Sequence, residues 1–185
     1  SDLEKTSFSF SVSISNVTTN DKNTVISSSL STLPVIINKA AYCNLKSGIP
    51  SNSQLISNRA GWIINVEEGV EGAPNNLIDG KTGTDVALNN KGFWFTVDLG
   101  EAKVLTGIKT NHWANAYAPR EVEILQSENG TTWKSLSSLA ISGGTQNITF
   151  ISPITTRYLK YQIITISTNG RTDVTVFNVY EPKSE

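Results

Sequence analysis

Between Ala73 and Gly100 a polar turn runs into an alternating strand. The turn, Asn76-Leu77-Ile78-Asp79-Gly80-Lys81-Thr82-Gly83-Thr84, sets one carboxylate among glycines and hydroxyls. The strand, Trp94-Phe95-Thr96-Val97-Asp98-Leu99, alternates and stops on Gly100, as a half-buried strand does. The same alternation returns in Glu121–Leu125, and Val104–Thr110, Asn147–Ile151, Arg157–Ile166 and Thr172–Tyr180 read as further strands. Asn129-Gly130 marks a hairpin. No stretch keeps a helical period beyond one or two turns. Many short strands separated by turn signals predict an all-β, antiparallel sandwich or barrel.

Charge narrows the range of partners. The net charge is -1 and the basic residues Lys103, Lys109 and Arg120 are scattered, so a nucleic-acid partner is not expected. No run of 18 or more apolar residues is present, and no transmembrane helix is expected. The one cysteine, Cys43, has no internal partner for a disulfide. The chain opens Ser1-Asp2-Leu3 and contains no methionine, so it reads as a piece of something longer.

The N-terminal part has its own pattern. Phe8-Ser9-Phe10-Ser11-Val12-Ser13-Ile14-Ser15 alternates strictly, Thr24–Ser29 is β-branched, and Leu33-Pro34-Val35-Ile36-Ile37 is a short apolar run. Asn44 to Ser57 is polar, contains Gly48-Ile49-Pro50, and reads as a linker with a boundary near Leu55. Residues 1–54 are therefore expected to be a β extension or the end of an upstream β domain, and 55–185 the main domain.

From about Leu55 the motifs follow in a family order. They are Gly61-Trp62; Asn76-Leu77-Ile78-Asp79-Gly80 with Thr84; Trp94 to Gly100; Pro119 to Ile124 with Ser127-Glu128-Asn129-Gly130 and Trp133; and Thr156-Arg157-Tyr158-Leu159-Lys160. Together they resemble the coagulation factor 5/8 type C, or discoidin, domain, and most of all the bacterial carbohydrate-binding modules of family 32. The resemblance implies an eight-stranded jelly-roll sandwich of the galactose-binding-like type. It also implies ligand binding by loops at one end, without turnover, in a monomeric module that can accompany a glycoside hydrolase. A structural calcium is implied too, held by the loop of Asp79, Lys81 and Thr84. Two positions depart from the family: Val86 stands where a Trp is usual, and Val176 where a Glu commonly helps hold the calcium. Asp79 could equally cap its own turn through backbone N–H groups.

A sugar presents hydroxyls and apolar C–H faces, so its site needs an aromatic platform and hydrogen-bonding side chains. Asn111-His112-Trp113-Ala114-Asn115-Ala116-Tyr117, between two strands, supplies both. Trp113 would stack, Asn111, His112 and Arg120 would contact hydroxyls, and Tyr117 is a further ligand-binding candidate; either ring could instead fold back as a core cap. Asn169 and Arg171, in a later loop, are added as residues reaching the same end. Trp62, Trp94 and Trp133 are read as scaffold packing. Glu67, Glu68 and Glu71 could supply a glycosidase pair but read better as a solvated turn. One histidine and one cysteine exclude the usual zinc sites, and no nucleophile motif is present.

The expected function is that of a non-catalytic carbohydrate-binding module of an exported bacterial protein, secreted or at the cell surface, with the periplasm as a further location. The expected ligand is a glycan of the galactose or N-acetylhexosamine type. The alternative is a discoidin-like adhesion module binding protein or phospholipid. A membrane partner is not favoured, because no apolar spikes ringed by basic residues are evident.

Overall fold

The computed structural model describes residues 42–184. The strands expected at Phe8–Ser15, Thr24–Ser29 and Leu33–Ile37 lie outside the described residues, as does most of the 1–54 region. The described residues form ten strands: β1 (Cys43–Lys46), β2 (Ser53–Leu55), β3 (Ile63–Val66), β4 (Val86–Asn89), β5 (Trp94–Asn111), β6 (Glu121–Ser127), β7 (Lys134–Ala140), β8 (Thr145–Thr165), β9 (Arg171–Val174) and β10 (Val176–Pro182). A single 3-10 turn, Pro74–Leu77, precedes the Asp79 loop.

All pairings are antiparallel, and two long strands make the sandwich. β5 and β8 pair along most of their length, but the register breaks between Asp98 and Lys103 and again between Leu105 and Gly107. The breaks divide each strand into two halves, one per layer. The first half of β5 pairs with β3 and with the second half of β8, which continues into β6 and β7. The second half of β5 pairs with β10 and the first half of β8, flanked by β2 and β1. This is an antiparallel β-sandwich, one of the two all-β forms that the alternation predicts and the one that the resemblance implies. A separate two-stranded sheet, β4 with β9, is not in either ladder but sends Val86 and Val174 into the same core.

The alternation tells which side chains enter the core. On β5, Phe95 and Val97 are fully buried while Trp94 and Thr96 are half-buried. Phe95 stacks on Tyr161 of β8 at 5.2 Å between ring centroids and meets Phe177 of β10 edge-on at 5.0 Å, which ties the two layers together. Gly107 allows β5 close to β8: a Cβ there would lie 2.7 Å from the Ile148 carbonyl oxygen.

The linker expected over Asn44–Ser57 is corrected. Residues 43–46 pair with Asn147–Phe150, and 53–55 pair with Tyr180–Pro182, so this stretch supplies two strands of the same sheet. They are only four and three residues long and most of their side chains are polar, which is why the stretch reads as a linker.

Candidate functional site

The ends of β5 and β9 build the site. β5 finishes at Asn111, whose backbone carbonyl accepts the Thr175 N–H at 2.8 Å. The chain then turns through His112–Arg120 into β6. On β9, Arg171 and Asp173 are two residues apart and so share one face, opposite the buried Thr172 and Val174. The loop is tied to that face twice. The Trp113 backbone N–H donates to Asp173 Oδ1 at 3.1 Å, and the Asp173 N–H donates to the Tyr117 carbonyl at 3.3 Å. A third tie runs beneath, where His112 Nδ1 lies 2.5 Å from the Asp173 carbonyl oxygen. A carbonyl only accepts, so Nδ1 carries the proton there.

This arrangement leaves a cavity of about 240 Å³ lined by Trp113, Tyr117, Arg171 and Asp173. Trp113 is 59% exposed, so its ring is open to a ligand and does not fold back onto the core. Asp173 is fully buried, and its Oδ2 has no hydrogen-bond partner. Arg171 Nη1 donates to Asp85 Oδ2 at 2.9 Å, while Asp173 Oδ2 and Glu71 Oε2 each stand 3.7 Å from the guanidinium. Burial works against the Arg171 charge. The Asp85 hydrogen bond and the fields of Asp85, Asp173 and Glu71 more than offset it, and its pKa stands above the ordinary arginine value. Gly72 lets the Glu71 segment approach, since with φ of 89° a Cβ there would strike the Asp85 carbonyl oxygen at 2.1 Å.

Of the residues expected at the site, Trp113, Tyr117 and Arg171 come together. His112 is buried beneath the loop, with its ring turned to Asp173, so it positions that strand and does not face solvent. Asn111 keeps its Oδ1 buried. Arg120 is exposed, and its backbone joins Thr165 and Ile141; it does not line the cavity. Asn169 Oδ1 takes the Ser167 hydroxyl at 2.9 Å and the Arg171 N–H at 3.0 Å, which makes it the cap of its own turn. Asp173, Asp85 and Glu71 were not foreseen at the site. Arg171-Thr172-Asp173-Val174 shows two charged residues on one face of a short strand, but not that this face meets the Trp113 loop.

The Asp79 loop is closed by its own side chain. Asp79 Oδ1 accepts the Lys81 N–H at 2.7 Å, Oδ2 accepts the Thr84 hydroxyl at 2.8 Å, and the same hydroxyl lies 3.5 Å from the Lys81 carbonyl. The donor set is all oxygen, which suits calcium, but it holds a single carboxylate. Calcium takes 6–8 oxygens, so further carbonyls and water would have to complete the shell. Val176 is buried and brings no side-chain oxygen. Among the described residues no three His, Cys, Asp or Glu side chains gather as a metal site.

A larger hollow of about 320 Å³ lies at the far end of β6, lined by Gln126, Ser127, Glu128, Asn129, Thr132 and Lys134. It has no aromatic wall, so a sugar ring would find no platform there.

The F5/8 type C domain model matches residues 57–176. No curated protein matches the chain. Solved structures share its fold. The family 32 carbohydrate-binding module of NanJ from Clostridium perfringens, in complex with galactose, is 21% identical with a TM-score of 0.59, over 70% of this chain and 99% of that one. The F5/8 type C domain of a Bacteroides fragilis protein is 19% identical with a TM-score of 0.61, over 73% and 100%. A Clostridium perfringens module, CpGH89CBM32-5, in complex with GalNAc-β-1,3-galactose, is 17% identical with a TM-score of 0.59, over 68% and 99%.

Proposed function

The chain belongs to the F5/8 type C domain family, and from that premise we propose that it is a non-catalytic carbohydrate-binding module of an exported bacterial protein. The observation that carries the reading is the exposed Trp113 lining one cavity together with Tyr117, Arg171 and Asp173. The ring offers a face for sugar C–H groups; the carboxylate accepts from hydroxyls and the guanidinium donates to them. The cavity, at about 240 Å³, is smaller than the roughly 300–1,000 Å³ of drug-sized ligand sites and suits one terminal sugar. The galactose and GalNAc-β-1,3-galactose held by two neighbours of the same fold support a terminal hexose or N-acetylhexosamine of the galactose type.

An open, single-sugar site makes few contacts, so the affinity lies in the high micromolar to millimolar range, on the order of -4 to -5 kcal/mol. Neighbouring modules would add avidity. The module acts as a monomer beside a catalytic or surface domain, secreted or at the cell surface. Calcium, held by Asp79, Thr84 and the Lys81 carbonyl, would brace a loop and take no part in sugar contact.

A glycan array on the purified chain, run with calcium and with chelator, tests the proposal. Binding to a sugar class that disappears in Trp113→Ala supports it. A folded protein that is silent on the array and sediments with anionic liposomes would favour the adhesion alternative.

A further inference from the structure

Resting on the sugar-binding reading, we infer that the floor of the site selects its sugar by charge, favouring a hexosamine with a free, protonated amine and rejecting uronic and sialic acids. The argument begins with Asp173. Its carboxylate is fully buried, and only one of its oxygens is used inside the protein, where Oδ1 takes the Trp113 N–H at 3.1 Å. Oδ2 is buried without a hydrogen-bond partner, in a residue that helps line the cavity. The nearest cation cannot close that gap. Arg171 Nη1 is 3.7 Å away and is committed to Asp85 at 2.9 Å, and His112 turns its Nδ1–H to the Asp173 carbonyl. A buried carboxylate oxygen left in this state is costly, and whatever enters must bring a donor to it.

The surrounding charge decides which donor suits best. Glu71, Asp85 and Asp173 are three carboxylates around the one guanidinium of Arg171. A protonated His112, 3.7 Å from Asp173 Oδ1, would still leave the balance negative. A sugar hydroxyl or an acetamide N–H can donate to Oδ2 as a neutral group. An ammonium donates with charge assistance and also offsets the surrounding field, which makes it the stronger partner. A sugar carboxylate has no donor to offer and meets like charge at close range. The selection lies in Asp173, with Asp85 holding Arg171 away from it.

The test is titration calorimetry at pH 6, where a sugar amine is protonated. The probes are methyl glycosides in the galacto, gluco and manno series: the 2-amino, 2-hydroxy, 2-acetamido and uronate forms. The 2-amino form of the bound series is expected to bind about tenfold tighter than its 2-hydroxy and 2-acetamido counterparts, the gap between charge-assisted and neutral hydrogen bonds. The uronate is expected not to bind. Raising the salt from about 20 to 500 mM should shrink the amine's advantage and leave the neutral sugars unchanged. Asp173→Asn keeps the acceptor for Trp113 and should bring the amine within about twofold of the neutral sugars. The salt series on the unaltered protein is a check that does not depend on this variant folding. Equal binding of amine and neutral sugars by the unaltered protein, or an advantage that persists in a folded Asp173→Asn, would overturn charge selection and leave the sugar-binding reading standing. Silence of every probe with a folded protein would overturn that reading, and this inference with it.

Discussion

Two aspartates, each buried on a strand near an arginine, have opposite bonding in this molecule. Asp98 on β5 receives Arg157 through both oxygens, at 2.8 and 2.9 Å, and the Gly100 N–H at 2.8 Å. Asp173 on β9 is more deeply buried, yet one of its oxygens is bonded to nothing and its arginine stands 3.7 Å off. A carboxylate serving the fold closes its hydrogen bonds within the protein. One serving a ligand keeps an acceptor open and relies on the surrounding scaffold to hold it there. The first aspartate is therefore expected to affect stability and the second to affect binding.

The largest effect should come from Asp98. Asp98→Ala removes three charge-assisted hydrogen bonds at a bend that joins the two layers. We expect a loss of about 2 kcal/mol, a drop in Tm of roughly 4–8 °C by calorimetry, with sugar binding retained. The Arg157 hydrogen bonds, opposed by burial and helped by the Gly100 N–H, hold the Asp98 pKa below the ordinary carboxylate value. Its stabilisation is then complete above an unfolded pKa of about 3.9 and is lost as pH falls through the lower folded value. Asp98→Asn should flatten the acid limb of the stability curve below about pH 4. An unchanged acid limb would remove the contrast between the two aspartates.

Next comes Trp113. With the residue 59% exposed, Trp113→Ala should change stability by less than about 0.5 kcal/mol and weaken sugar binding at least about tenfold, read by calorimetry on the same sample. Unfolding of the variant would make the ring a core cap. Asp173→Asn should be smaller still in stability. It removes a buried charge that lacks a full set of partners and keeps the acceptor for Trp113, so its stability should stay within about 0.3 kcal/mol of the parent or rise. A loss equal to that of Asp98→Ala would show that both aspartates are structural.

The two regions also differ in how far the sequence displays them. The layer built on β5, β6 and β8 is legible, because Trp94–Leu99, Glu121–Leu125 and Arg157–Ile166 alternate over enough residues to mark their buried faces. The edge strands Cys43–Lys46 and Ser53–Leu55 are too short for a period to emerge from a polar background. At the site, an aromatic within a polar loop marks Trp113 and Tyr117 as candidates, and both line the cavity. His112 illustrates what residue type leaves open, since a histidine in a loop can face solvent or, as here, face a strand carbonyl. Asp173 was hidden for the same reason. Its role depends on β9 lying against the Trp113 loop, a pairing between residues 60 positions apart in the chain.

The smallest expected effect concerns the Asp79 loop, which belongs with Asp98 in having its carboxylate satisfied internally. Both Asp79 oxygens already accept hydrogen bonds, from Lys81 and Thr84. A calcium ion there would have to displace or share them, and with one carboxylate in reach it would bind no more tightly than the weak extracellular sites, with Kd on the order of 1 mM. At about 1 mM calcium, mass action then adds about 0.4 kcal/mol, a rise in Tm of roughly 1–2 °C over chelator. Asp79→Ala should abolish that rise and, by freeing the Lys81 N–H and Thr84 hydroxyl to water, lower Tm in chelator only slightly. A rise well beyond this size would mean that carbonyls of the loop complete a tight site. No rise at any calcium concentration, with Asp79→Ala still destabilising, would make Asp79 a turn cap and place it with Asp98 as a residue of the fold.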